Sequence, residues 1–210
     1  MMRQCTRMSA PTRRAARGFT LVEVLVAMVV MAIMAVMAWQ GVDGIVRTRD
    51  ASQARLEQTL RLNTVIAQWD QDLASIQDTN GAVPESLKCD GASVRMVRRT
   101  PDGLQVVAWS YRPDDSGGAW VRWAGPPVTS VGELQDSWLR SQQLQGSEPG
   151  SLKTLTGVSG WQVYFYRGNA WTNCQSTGDG KPPDGVRVVL SFAPGSGVNG
   201  DLTRDTALGP

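Results

Sequence analysis

Between Phe19 and Gln40 the chain has no Gly, no Pro and a single charge, Glu23. An unbroken apolar run of that length predicts one helix of about 30 Å, roughly the thickness of a bilayer's hydrocarbon. Beyond Trp39 the pattern stays helical but changes character. Asp43 with Arg47, and Glu57 with Arg61, place opposite charges four residues apart. Leu62, Val65, Ile66, Trp69, Leu73 and Ile76 then recur at helical spacing and form an apolar stripe. A stripe of that kind reads as intramolecular core. Gly41 and Gly44 fall inside the helix at some cost and allow a bend near the membrane surface. Asp78-Thr79-Asn80-Gly81 with Pro84 supplies the stop, so one helical element over 19–77 is predicted.

From Leu87 the period shortens to strands and turns. Ser93–Arg99 and Leu104–Arg112, joined by Thr100-Pro101-Asp102-Gly103, read as a hairpin. Strands follow over Ala119–Trp123, Leu152–Thr156, Trp161–Arg167 and Val186–Phe192, with Leu202–Thr206 as a final edge strand. In the Val186–Phe192 segment Val186, Val188, Leu190 and Phe192 share one face. Gly125-Pro126-Pro127 breaks the sheet, Glu133–Gln145 has helical composition and 146–150 is a loop. The predicted class is α+β: a long N-terminal helix packed against an antiparallel, mostly sequential β-rich domain.

The glycine in front of the apolar run and the lone carboxylate inside it change the picture. A carboxylate four residues into such a helix costs roughly 3 kcal/mol on insertion, so Glu23 needs a partner. A secretory signal has a shorter apolar core with its cleavage site behind it, and an ordinary signal anchor leaves Glu23 without a reason. Arg17-Gly18-Phe19-Thr20-Leu21-Val22-Glu23 closely resembles the class III signal of type IV pilins and type II secretion pseudopilins. That resemblance implies cleavage by a prepilin peptidase after Gly18, N-methylation of Phe19, and a role for Glu23 as the assembly carboxylate that meets a neighbouring subunit's terminus. It divides the chain into a basic leader (1–18), a transmembrane helix (19–40), an amphipathic continuation (41–80) and a periplasmic β-rich domain (81–210).

Charge follows this division. The formal +2 includes Arg3, Arg7, Arg13, Arg14 and Arg17, all in the leader. Without them 16 Lys and Arg face 19 Asp and Glu, so nucleic acid is not an expected partner. The same arginines hold the leader in the cytoplasm by the positive-inside rule. A single-pass protein of the inner membrane with its C-terminal domain in the periplasm is therefore expected.

Histidine is absent, which removes Ser-His and Cys-His pairs and histidine metal sites. Lys88, Lys153 and Lys181 accompany no serine motif. No enzyme, no cofactor and no metal is expected. Asp114-Asp115 and the loop of Asp179 and Asp184 hold too few oxygens for calcium and read as turns. Cys89 and Cys174 admit two readings: one disulfide closing a long loop, or a small buried residue and a loop thiol. Trp109, Trp120, Trp123, Trp138, Trp161 and Trp171 read as core and sheet packing, with an exposed partner or carbohydrate surface as the alternative.

The stretches Val24–Ala27 with Trp39–Asp50, Trp161–Tyr166 with Ala170-Trp171, and Pro183–Leu190 resemble the J-type minor pseudopilins of type II secretion, a resemblance that does not extend to 113–158. That family forms a filament-tip complex with I-type and K-type pseudopilins and primes assembly on the major pseudopilin. The competing class is a minor pilin of a type IV pilus acting in adhesion or DNA uptake. DNA would need an exposed basic patch, for which Arg95, Arg98 and Arg99 are the candidates.

Overall fold

The computed structural model describes residues 18–114, 117–176, 182–198 and 200–209. The leader up to residue 17, Asp115, Asp179 and Lys181 lie outside the described residues. The chain divides between Gln53 and Ala54 into two units.

The first unit holds the beginning of helix α1 (Leu21–Ala74). With no Pro to remove a backbone donor, the helix runs through Gly41 and Gly44 without interruption. Thr48 Oγ1 donates to the Gly44 carbonyl at 2.8 Å, and Asp43 pairs with Arg47 at 2.5 Å. Every residue from 18 to 53 is exposed. It is the one helix among the described residues long and apolar enough to cross a membrane. The run from Phe19 to Gln40, apolar around its circumference apart from Glu23, suits hydrocarbon better than water.

The second unit contains the end of α1 and two antiparallel sheets. The first sheet runs in chain order through β1 (Leu87–Cys89), β2 (Ser93–Thr100), β3 (Gly103–Arg112), β4 (Ala119–Ala124) and β5 (Ser151–Thr156). The second comprises β6 (Val158–Arg167), β7 (Ala170–Asn173), β8 (Gly185–Phe192) and β9 (Leu202–Ala207), ordered β7-β6-β8-β9. Helix α2 (Val131–Ser141) lies between β4 and β5 in the chain. Ser130 caps it by accepting from the Glu133 N–H at 3.4 Å, while Glu133 accepts from the Ser130 hydroxyl at 2.7 Å. The predicted β2–β3 hairpin turns at Gly103, whose φ of 133° and close approach to the Val128 carbonyl leave no room for a side chain.

Both faces of the first sheet are covered. On one, Val65, Trp69 and Leu73 of α1 pack with Val94, Met96, Val107, Trp109 and Trp120, and with Val186, Val188 and Leu190 of β8. Leu62, Ile66 and Ile76 join that core as partly buried members, so the helical stripe is covered by the chain itself. On the other face Leu134 and Trp138 of α2 pack with Val97, Val106, Ala108 and Trp123. Trp69, Trp109 and Trp120 meet with ring centroids 4.3 to 5.6 Å apart, and four of the six tryptophans of the β region are buried. Trp161 and Trp171 are partly exposed.

A buried carboxylate sits within this core. Asp72 is wholly inaccessible to solvent. Its Oδ1 accepts from Gln68 Nε2 at 3.0 Å, Arg98 Nη1 at 2.9 Å and Arg122 Nη2 at 3.0 Å. Its Oδ2 accepts from the Trp109 indole at 2.9 Å and Arg122 Nε at 2.7 Å. Burial of such a charge is tolerable only when every lone pair is matched in this way.

Cys89, ending β1, is joined by a disulfide to Cys174, just past β7, with 5.7 Å between Cα atoms. The bridge links the edges of the two sheets. In the chain-entropy account a loop of 85 residues is stabilised by roughly 4 kcal/mol. Gln175 Nε2 donates to the Asp90 carbonyl at 2.8 Å, and Trp161 Nε1 to the Gly91 carbonyl at 3.2 Å, beside it.

The structure departs from the sequence expectations in three places, the two helices and the arrangement of the strands. Helix α1 stops at Ala74 rather than 77, because the next residues pair with β2: Gln77 N–H donates to the Val97 carbonyl and Arg99 N–H to the Ser75 carbonyl. Helix α2 starts at Val131 and stops at Ser141, earlier at both ends, since Ser130 is the cap. Strands β1 and β7 are additional, and the β-region forms two sheets, with β5 and β6 falling in different ones. Arg95, Arg98 and Arg99 do not form a basic patch. Arg95 is buried against Asp90 at 2.8 Å and Arg98 is bound to Asp72, leaving Arg99 alone exposed. In the first acidic loop Asp114 Oδ1 accepts the Gly118 N–H at 3.0 Å, and no cluster of three metal-ligating side chains occurs among the described residues.

Trp69→Ala is expected to cost about 3–5 kcal/mol as a large-to-small core change. Asp72→Ala should cost a similar 3–5 kcal/mol, because it strands two guanidinium groups. Urea unfolding of the full chain in detergent, followed by tryptophan fluorescence, measures both. A loss below about 1 kcal/mol at Asp72 would mean that the network adds nothing to stability.

Candidate functional site: the N-terminal segment of the first helix

The segment Gly18-Phe19-Thr20 enters α1 as non-helical chain, and the helix starts at Leu21. Thr20 is the last residue before the helix, and Glu23 is the third within it. Their spacing is that of a capping box, in which a hydroxyl and a carboxylate three residues apart satisfy each other's backbone donors. The geometry matches. Glu23 N–H donates to Thr20 Oγ1 at 3.3 Å, while Thr20 N–H and Thr20 Oγ1 each donate to Glu23 Oε2 at 3.4 Å. The Thr20 carbonyl accepts from Val24 N–H at 3.3 Å, closing the first turn.

These contacts are long and exposed, so the box organises the helix start without holding it strongly. A carboxylate in the first turn also faces the positive end of the helix dipole. In the single chain, then, Glu23 has partners within its own first turn.

Gly18, Phe19 and Glu23 thus lie within six consecutive residues, the first two before the helix and the third in its first turn. Phe19 is 83% exposed. A Cβ added at Gly18 would meet nothing within 4 Å, and its backbone is not in the left-handed region. The fold itself therefore places no demand for glycine there. Any such demand must come from whatever recognises the segment.

Cys89 and Cys174 lie together in the second unit, apart from this segment in the chain. Two residues were not singled out in the sequence. Thr20 is the helix cap, and the Thr-x-x-Glu spacing signals it directly. Asp72 is the buried anchor of the second unit, and nothing local separates it from Asp70, which also falls between Trp69 and Leu73.

Residues 13–39 match the family described as the prokaryotic N-terminal methylation motif. No curated protein matches the chain. The motif, the long apolar helix that follows it and the α+β architecture support a type IV pilin-like protein, and are consistent with a single-pass membrane anchor. They suggest a structural protein rather than an enzyme.

Processing is expected between Gly18 and Phe19, with methylation at Phe19. Mass analysis of the protein from membranes should return N-methylated Phe19 as the first residue. Gly18→Glu should leave residues 1–18 attached while the fold of the second unit is unchanged. A mature terminus at another position would remove the pilin-like processing route.

Proposed function

We propose that the chain is a minor pseudopilin of the type II secretion system, of the J type. In that role it joins I-type and K-type pseudopilins in a tip complex that primes the filament on the major pseudopilin and supports export of folded proteins. The observation that carries the reading is the N-terminal segment itself: a glycine in open space, an exposed Phe19, and Glu23 in the first turn of an exposed apolar helix. The similarity of the stretches around Trp39–Asp50, Trp161–Tyr166 and Pro183–Leu190 to J-type sequences favours this family member. On this reading the protein sits in the inner membrane with its β-rich unit in the periplasm. Prepilin peptidase processes it, and it has neither cofactor nor nucleic-acid partner.

The second reading, a minor pilin of a type IV pilus in adhesion or DNA uptake, loses one of its supports. DNA uptake would use exposed cations, and two of the three candidate arginines are committed inside the domain.

The role of Glu23 follows from its setting. On insertion its carboxylate has only a weak local box to offset the loss of water. A neighbouring subunit's terminal amine would supply a charge-assisted bond where the dielectric is low. Glu23→Ala should leave cleavage, membrane insertion and the stability of the second unit intact, while reducing co-purification with other pseudopilins and lowering secretion of folded cargo. Glu23→Gln should fall between the two, since it keeps an acceptor but not the charge. If Glu23→Ala co-purifies and secretes like the parent, the carboxylate is not an assembly residue. A strain lacking the chain that secretes normally but loses surface pili would replace the secretion reading with the pilus one.

A further inference from the structure

The second sheet turns one face to the core and the other outward. Val163, Phe165, Val186, Val188 and Leu190 fill the core side. The residues that alternate with them stand on the outer face, and register sets those in rows across the strands. One row runs Asn173, Tyr164, Arg187, Asp205, with one planar polar side chain from each of the four strands. At the usual strand spacing its ends lie roughly 14 Å apart. In the row beside it Tyr166 faces Trp171, with ring centroids 5.1 Å apart. That row ends in Gly185 and Ala207, which carry almost no side chain. Trp171 reclines into the space they leave, its six-membered ring 3.7 Å from where a Gly185 Cβ would stand. The rings of Tyr164, Tyr166 and Trp171 are all partly exposed.

These groups hold one another in place. Arg187 Nε and Nη2 donate to the two carboxylate oxygens of Asp205, each at 2.6 Å, and the guanidinium lies 4.3 Å from the Trp171 ring centroid. The Tyr164 hydroxyl donates to Gln162 Oε1 at 2.7 Å, and the Tyr166 hydroxyl to Asn169 Oδ1 at 2.6 Å. A ligand therefore has little to order on binding. Arg187 and Asp205 are the ionised side chains of the two rows, and they cancel. Their shared hydrogen bonds hold the Asp205 carboxyl below its ordinary range and raise Arg187 above its own, so both stay charged. Ala207 and, one row further on, Val189 are the aliphatic side chains of this face.

We propose that this face binds a neutral β-linked pyranose oligosaccharide, with sugar C–H faces on the exposed rings and hydroxyls on the row of Asn173, Tyr164, Arg187 and Asp205. A sugar of this class is apolar on the faces of its ring and polar around the rim. Exposed aromatic rings beside planar donors and acceptors offer the same two chemistries side by side. A charged ligand would have to compete with the Arg187–Asp205 pair. A protein hot spot is a desolvated pocket sealed by surrounding contacts, whereas these rings stand in an open row with little aliphatic area around them. The face is separate from the N-terminal segment, so the proposal stands or falls apart from the pilin-like reading.

The test titrates the full chain, in a detergent without a sugar headgroup, with cellotetraose and chitotetraose by isothermal calorimetry. Both are neutral and β-1,4-linked, and tetragalacturonate serves as the charged counterpart. Saturable binding of at least one neutral probe is expected in titrations to about 10 mM, well past a dissociation constant of about 1 mM. Trp171→Ala should weaken it about tenfold, while Trp171→Phe, which keeps a ring, should weaken it by less than about threefold. Asn173→Ala removes an exposed planar group without touching the core and should weaken binding about threefold. Leu139→Ala, exposed on α2, should leave it unchanged. Unchanged melting temperatures of the variants show that the fold is not the cause. No saturable binding of either neutral probe, binding indifferent to both Trp171→Ala and Asn173→Ala, or tighter binding of tetragalacturonate overturns the proposal. So does a photo-crosslinking amino acid at position 162 that captures a protein in the native membrane with a yield that falls in Trp171→Ala, because a protein then occupies the face.

Discussion

Asp72 has no contact with water, and its charge persists there only because donors from four places converge on it. Gln68 comes from the preceding turn of α1, Arg98 from β2, Trp109 from β3 and Arg122 from β4. This matters for geometry more than for net stability. Apolar packing is non-directional, and a helix bearing Val65, Trp69 and Leu73 on one face would bury similar area if slid or rolled slightly across a sheet of valines. A carboxylate whose two oxygens are both filled has no such freedom. Moving it by one residue would leave a buried charge and two guanidinium groups unmatched, at a cost of several kcal/mol. The ion cluster thus selects one placement of α1 from many that the tryptophan core would accept. Asp70, with Arg204 at 2.7 Å and the Thr206 hydroxyl at 2.7 Å on β9, makes a parallel contact to the second sheet. That pair is partly exposed and contributes at most about 1 kcal/mol, so it trims the placement rather than setting it.

Much of this fold is legible in the chain because local and global signals agree. The α1 stripe, the Pro-Asp-Gly hairpin and the alternation of Val186, Val188 and Leu190 each carry a period that matches the structure. At the end of α1, where the reading diverges, the deciding partners are far away in sequence. The last turn of α1 is lost because β2 offers backbone groups to Ser75 and Gln77, a competition that no helical propensity encodes. Strand β7 has only four residues, yet its turn is visible. Gly168-Asn169, both at positive φ, is a two-residue hairpin loop of the kind that joins short strands, and Trp171 faces Tyr166 across it. The split into two sheets turns on Gly157, a single residue at φ 73° between β5 and β6. A lone glycine between two strand patterns gives no warning that the chain is changing sheets.

The site divides in the same manner. Gly18, Phe19 and Glu23 are singled out by a local pattern alone, one residue type at each position within six residues, and their proposed roles rest on that pattern. Asp72 was hidden because its meaning depends on Arg98, Trp109 and Arg122, which lie 26 to 50 residues further along the chain. The run at Arg95, Arg98 and Arg99 shows the converse. Sequence shows three cations close together, whereas the strand alternates them between a buried ion pair, a shared carboxylate and solvent.

The two carboxylates set in apolar stretches of α1 show how burial decides what a charge is available for. Asp72 is saturated by its own chain and can accept nothing more. The Glu23 carboxylate accepts only from Thr20, at 3.4 Å in an exposed first turn, and a capping interaction of this kind is worth about 1 kcal/mol. That is enough to define where the helix begins, with Gly18 and Phe19 outside it and Phe19 exposed. It is too little to compete with an ammonium group, whose bond to a carboxylate strengthens as water is withdrawn. On the proposed reading the capping box is therefore a holding arrangement. It keeps the carboxylate oriented and partly satisfied in the isolated subunit, and it yields when a neighbour's terminus arrives. The weakness of the box is then what makes the residue useful, since a Glu23 held as firmly as Asp72 would stabilise the monomer and leave the assembly nothing to recognise.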